Sequence, residues 1–159
     1  MIIYYSWFTN EKIGYVHTRI MEQKLGVTPT KWRGYLFNHN VDTTALLESL
    51  QRIRSRKWKF GYLFIPDLKK DEQIVEYYKN PGKFFGYGPC ISPWFVTEVM
   101  PNGDVAPCRD YPDYITGNLM EQSIFEIWNG KRYRKFRQAL KDNGGTFPIC
   151  ARCCGLMGW

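Results

Sequence analysis

Residues 2–8 are a run of β-branched and aromatic side chains ending on Thr9 and Asn10, which predicts a strand followed by two residues able to cap a helix. Behind them Ile13, Val16, His17, Ile20 and Met21 recur at i, i+3, i+4 spacing, and Gly26 follows Leu25. The pattern predicts an amphipathic helix that stops at the glycine, with His17 packed on its apolar side. After a loop punctuated by Pro29 and Gly34, Asp42 caps a second predicted helix whose stripe is Leu46, Leu47, Leu50 and Ile53. Residues 58–65 read as a buried strand closed by Pro66, and a third helix is expected over about 71–78, ahead of Asn80-Pro81-Gly82. Strands separated by helices imply parallel pairing through crossovers. Parallel sheets are normally covered on both faces and hold several strands, so these two are expected to be the last strands of something larger, in the C-terminal piece of a longer polypeptide. The alternative is a small α+β domain in which they pair with a later hairpin.

The pattern changes character near residues 82–89. Residues 95–100 and 104–107 flank Asn102-Gly103, which predicts an antiparallel hairpin with a type I′ turn, both central residues at positive φ. Gly117-Asn118 reads as another turn. Ser123-Ile124-Phe125-Glu126 is a capping box that should open a helix carrying Ile127 and Trp128, broken at Asn129-Gly130. A further helix is expected over 131–141, with Tyr133, Phe136 and Leu140 inward. The double glycine Gly144-Gly145 then lets the tail turn back towards the hairpin.

Five cysteines punctuate this second half: Cys90 and Cys108 at the two outer ends of the hairpin, then Cys150, Cys153 and Cys154 in the last ten residues. A hairpin folded at Gly103 brings the first two to one edge, and the returning tail brings the others. Thiolates are soft ligands that select zinc, copper(I) or iron-sulfur clusters, and all-sulfur sets point to zinc or iron-sulfur. An odd count weakens a disulfide framework, and no signal peptide opens the chain, so a cytoplasmic location is expected. A thioredoxin-like use of Cys150-Ala151-Arg152-Cys153 is disfavoured because no helix is expected to follow it. Cys90, Cys108, Cys150 and either Cys153 or Cys154 would saturate the four irons of a [4Fe-4S] cube; Cys153 is preferred, Cys154 being the alternative ligand. Arg109, Arg152 and Lys135 are candidates to balance the charge of such a cluster, and the backbone near Gly155 to bond its sulfurs.

Here the chain resembles the SPASM auxiliary-cluster domain found at the C-terminus of radical SAM enzymes. The resemblance rests on Cys90, Gly103 and Cys108, then Gly117-Asn118-Leu119, Ile127-Trp128-Asn129 and Cys150-Ala151-Arg152-Cys153, in that order and approximate spacing. It covers residues 84–159 and implies one auxiliary [4Fe-4S] cluster for electron transfer or substrate positioning in an oxidoreductase-type radical reaction, often on a peptide or protein. Residues 1–83 look like the last elements of the partial (β/α) barrel that precedes such a domain. The fold class is thus α+β: late β/α elements followed by a hairpin and helices around a cysteine-ligated site. Two departures matter. The C-x3-C-x2-C signature is absent, so no catalytic residue is assigned, and S-adenosylmethionine chemistry belongs to the full-length parent rather than to this chain alone. The longer form of the domain carries another cysteine six positions past Cys153, where this chain has Trp159, so a second auxiliary cluster is not expected.

Composition adjusts this picture only slightly. A 44% hydrophobic share over 159 residues can bury a core, and no apolar run is long enough to cross a bilayer. The formal charge of +7 fits an anionic ligand, a cluster or nucleic acid. A zinc-stapled four-cysteine module whose basic helix, Lys131 to Lys141, meets nucleic acid or protein is the alternative function. Nucleic acid itself is disfavoured, because that charge run suits a solvated helix face. Asp110 and Asp113 are either acid/base groups or turn residues around Pro112, and His39 reads as a loop residue. The expected partners are the missing N-terminal part of the parent and a peptide substrate, with a homo-oligomer possible through the exposed strand edge.

Overall fold

The computed structural model describes residues 1–37 and 40–157, without the side chains of Cys154 and Met157. His39 and Trp159 lie outside the described residues. The fold is α+β.

The first half follows the hydrophobic pattern, on shorter strands. β1 (Ile2–Tyr4) and β2 (Leu63–Ile65) pair in parallel, with Ile2 opposite Leu63 and Tyr4 opposite Ile65. The expected runs 2–8 and 58–65 shrink for local reasons. The Tyr5 N–H still donates to the Ile65 carbonyl at 2.9 Å, but the chain then turns Phe8 into the core, and the Thr9 N–H finds the Tyr35 carbonyl at 3.0 Å instead. At the other end, the Trp58 indole N–H donates to the Ile53 carbonyl at 2.9 Å and holds that residue against the preceding helix rather than in a ladder. β2 is also not buried throughout, since Leu63 is half exposed.

The helices begin and end at the residues whose chemistry marks them. α1 (Glu11–Leu25) is capped by the Asn10 side chain, which accepts from the Ile13 N–H at 2.9 Å, and stops at Gly26 in the left-handed region. α2 (Thr43–Ser55) starts at Asp42, whose carboxylate accepts from the N–H groups of Thr44 and Ala45. α3 (Asp71–Lys79) completes this half. A 3-10 segment, Lys31–Tyr35, stands where only a loop was expected. Its fully buried Trp32 lies so close to α1 that a Cβ on Gly14 would sit 2.3 Å from the indole ring.

In the second half β3 (Glu98–Val99), β4 (Asp104–Ala106) and β5 (Gly117–Asn118) form an antiparallel sheet in that order. The hairpin is where the sequence puts it, but its turn is not type I′. Gly103 has φ +84° while Asn102 stays at negative φ, and the Gly103 N–H donates to the Met100 carbonyl. Pro101 explains this: its ring fixes φ near −65°, which suits a type I turn followed by a left-handed glycine in a three-residue loop. Gly117-Asn118, expected as a turn, is instead the third strand. Asn118 bonds across to the Asp104 carboxylate and the Asn102 carbonyl, and a Cβ on Gly117 would meet Ile127 at 2.7 Å. α4 (Ile124–Trp128) opens on the capping box as written, Ser123 and Glu126 each bonding the other's backbone. α5 (Lys131–Asp142) follows, then a 3-10 turn, Pro148–Arg152, and a single helical turn, α6 (Cys154–Met157), where no helix was expected.

The largest apolar core joins Met21 and Leu25 of α1, and Trp32, to Tyr111, Tyr114, Phe136, Leu140, Phe147 and Ile149. A second core collects Tyr5, Phe8, Leu50, Leu68, Ile74 and Tyr77. A third, smaller one holds Val105, Ile127 and Tyr133 under the hairpin. α1 therefore packs on α5 and on the 3-10 turn of the tail, and this delivers one of its faces to the cysteines.

Candidate metal centre

Each cysteine is held by backbone geometry that its neighbours dictate. The Cys90 N–H donates to the Gly145 carbonyl at 2.9 Å, which stitches the start of the hairpin to the double glycine after α5. Gly145 has φ +88°, and a Cβ there would lie 2.3 Å from that of Pro89, so only glycine permits the approach. Cys108 stands two residues beyond β4, after Pro107. Cys150 lies inside the 3-10 turn and accepts the Cys153 N–H on its carbonyl at 3.0 Å, which folds the C-x2-C back on itself.

The four half-buried thiols of Cys90, Cys108, Cys150 and Cys153 line one cavity of about 530 Å³. His17 and Met21 of α1 line it too, as do Asp110, Tyr111 and Gly155. The Cys153 thiol donates to Asp110 Oδ2 at 3.5 Å, and Asp110 also pairs with Arg109 at 3.4 Å. Among the described residues no three His, Cys, Asp or Glu side chains converge closely enough to hold a single metal ion.

The electrostatics of this cavity call for positive charge. Burial raises every one of the four thiols above its ordinary value, Cys108 to about 12. Neighbouring thiolates add to the rise, Cys108 acting on Cys150 and Cys150 on Cys153. Without cations the thiols stay protonated; iron or another soft metal provides the charge that thiolate ligands need. Burial also lowers His17 to about 4, against the pull of the Asp113 carboxylate, so its imidazole is neutral near pH 7. Both its ring nitrogens and the Tyr111 hydroxyl are buried without a hydrogen-bond partner among the described residues. Four thiols and two orphaned donors, one imidazole N–H and the tyrosine O–H, around one space suit a sulfur-rich group.

His17 was expected to be packed, and it is 2% exposed, yet it also faces the cavity. Tyr111 was not singled out; its only signal was its position three residues after Cys108. Asp113 serves as a cap, accepting the N–H groups of Thr30 and Lys31 at the start of the 3-10 segment. Arg152 does not serve the cysteine site as a counter-charge. Its guanidinium points the other way, donating to the carbonyls of Tyr77, Asn80, Lys83 and Ala151 and stacking over Tyr77 at 4.2 Å. Lys135 is exposed on α5, away from the cavity lining, whereas Arg109 lines it. The basic helix braces loops: Arg132 bonds the Ile115 carbonyl, Arg134 that of Asn129, and Arg137 those of Pro93 and Trp128.

Residues 90–154 match the iron-sulfur cluster-binding domain family SPASM. The chain carries a SPASM domain. That match spans the hairpin, α4, α5 and the cysteine tail, as the spacing of Cys90, Gly103, Cys108 and the C-x2-C implied. Among curated proteins, the tungsten-containing aldehyde ferredoxin oxidoreductase cofactor-modifying protein of Pyrococcus furiosus is 23% identical over 154 residues, covering 87% of this chain and 38% of that protein. The S-adenosyl-L-methionine-dependent 2-deoxy-scyllo-inosamine dehydrogenase of Niallia circulans is 32% identical over 69 residues, 40% of this chain and 27% of that protein. The chain thus spans well under half the length of these relatives. No solved structure matches it. With these likenesses the resemblance to the SPASM-containing C-terminal part of radical SAM proteins holds. No helix among the described residues is long and apolar enough to cross a membrane.

Proposed function

We propose that this SPASM domain holds one auxiliary [4Fe-4S] cluster through Cys90, Cys108, Cys150 and Cys153, within a radical SAM enzyme in which residues 1–83 supply late elements of the partial barrel. The observation that carries the reading is the single cavity of about 530 Å³ lined by all four thiols. A cluster bound there would supply one-electron chemistry, or a fixed surface against which substrate is placed. The chain's own contribution is to position four thiolates from three distant stretches, exclude water with Met21 and Phe147, and set hydrogen bonds around the sulfurs. The S-adenosyl-L-methionine dependence named for the Niallia circulans relative supports the same enzyme class. A peptide or protein substrate, the missing N-terminal part of the enzyme and a cytoplasmic setting belong to this proposal.

Zinc needs four sulfurs about 2.3 Å from one ion, a closer convergence than the described side chains make. Anaerobic reconstitution with iron and sulfide should give a brown chain with about four irons. Cys90→Ala, Cys108→Ala and Cys150→Ala should each cripple binding, and Cys153→Ala should do so while Cys154→Ala does not. One zinc per chain and no iron would reject the cluster, and equal loss for Cys153→Ala and Cys154→Ala would reject the ligand assignment.

A further inference from the structure

We propose that His17 and Tyr111 donate hydrogen bonds to sulfur atoms of the group in the cysteine-lined cavity and thereby raise its reduction potential. This rests on the cluster reading above. His17 comes from α1, outside the matched residues 90–154, so the family match assigns it nothing. It is 2% exposed and Tyr111 5%, their rings are 6.2 Å apart, and both line the cavity. Among the described residues neither His17 nitrogen nor the Tyr111 hydroxyl has a partner. The His17 ring lies against Phe147 at 5.7 Å; of the Asp113 carboxylate, Oδ1 is engaged by the backbone of Thr30 and Lys31, and Oδ2 is buried and bonds neither His17 nor Tyr111 among the described residues.

A buried donor left unpaired loses its hydration with nothing in return, so natural folds rarely leave two beside one cavity. The acceptors that would satisfy them are those a cluster brings. Thiolates and bridging sulfides accept hydrogen bonds and donate none, and they gain negative charge on one-electron reduction. Donors aimed at them stabilise the reduced state more than the oxidised one, which moves the potential upward. A neutral imidazole has one N–H to give, and the tyrosine hydroxyl one O–H. Both roles are those of positioning residues, not ligands.

The test compares the full wild-type chain with Tyr111→Phe, His17→Leu and His17→Gln after anaerobic reconstitution, reading iron content and the midpoint potential by EPR-monitored titration with dithionite. All variants should keep the wild-type iron. Tyr111→Phe and His17→Leu should shift the midpoint to more negative values, while His17→Gln, which still donates, stays nearer wild type. Tyr111→Phe removes one oxygen atom that is orphaned in the metal-free chain, so that chain should melt no lower than wild type, whatever the fate of His17→Leu. Unchanged midpoints at full iron would overturn the proposal, as would iron loss in His17→Leu, which would make the histidine a ligand. A wild-type chain without iron would remove the cluster reading first and this inference with it.

Discussion

At the scale of single residues, Arg152 shows how the site is tied to the rest of the chain. It stands between Cys150 and Cys153, is 1% exposed, and has no carboxylate partner among the described contacts. Four carbonyls accept its N–H groups instead, including those of Tyr77 and Asn80 at the C-terminal end of α3, where a cation is favoured by the helix dipole. Phe8, Tyr77 and Phe85 stack around it. Burial lowers its pKa to about 10, still far above neutrality, so the charge persists. Arg152→Leu should destabilise the metal-free chain by roughly 3 kcal/mol or more, because it strands several buried carbonyls at once. Arg152→Lys should recover only part, since an ammonium cannot reproduce the planar fork. Denaturant unfolding of the three chains measures this, and a lysine variant as stable as wild type would show that the fork is not required.

At the scale of elements, the cysteine positions depend on close backbone approaches more than on side-chain packing. Gly145 sits at φ +88° and carries the carbonyl that accepts the Cys90 N–H, so a methyl group there forces the hairpin and tail apart. Gly103 is also left-handed, and its missing Cβ would lie 2.6 Å from Asn118 Oδ1. The two glycines differ in what they hold. Gly103→Ala strains the β3–β4 turn and should cost about 1–3 kcal/mol of stability, with the iron site still able to load. Gly145→Ala should cost at least as much and also reduce iron occupancy, because it displaces Cys90 itself. Equal iron content in the two variants would argue that the stitch to Cys90 does not set the site. The hydrophobic pattern announced all three long helices of the first half and α5. It announced β5 as a turn, because glycine and asparagine carry no strand propensity, and only cross-strand bonds from Asn118 to Asp104 and Asn102 make them a strand.

For the whole molecule, the prediction concerns what the chain does alone. The sequence contains no C-x3-C-x2-C motif, and the four described cysteines surround one cavity. Under the proposed assignment every iron corner has a cysteine, so the chain by itself should not cleave S-adenosylmethionine under strong reductant. Product formation by the purified chain, followed by chromatography, would overturn the assignment. The two-stranded sheet also leaves Ile2, Tyr4 and Leu63 about half exposed beside open strand edges. Self-association at high concentration is expected, and a monomer throughout the concentration range in sedimentation would count against these strands being part of a larger sheet.

The sequence by itself determined helices α1 to α5, the hairpin, the caps of α1, α2 and α4, and the candidate ligands, because each is written in short-range chemistry: periodicity, glycine and proline positions, and cysteine spacing. It also carried the SPASM resemblance. Tertiary structure decided what distant residues do to one another. The turn type followed from Pro101 only once the strand register was fixed, and the strands shortened where Trp58 and Thr9 found partners outside the ladder. Arg152, read as a counter-charge for the cysteines, turned to the end of α3 because that helix offers carbonyls some seventy residues away in sequence. His17, from the other end of the chain, came to face the cavity because α1 packs on α5 and on the cysteine tail. No local pattern encodes such a meeting; it is set by which apolar faces share a core.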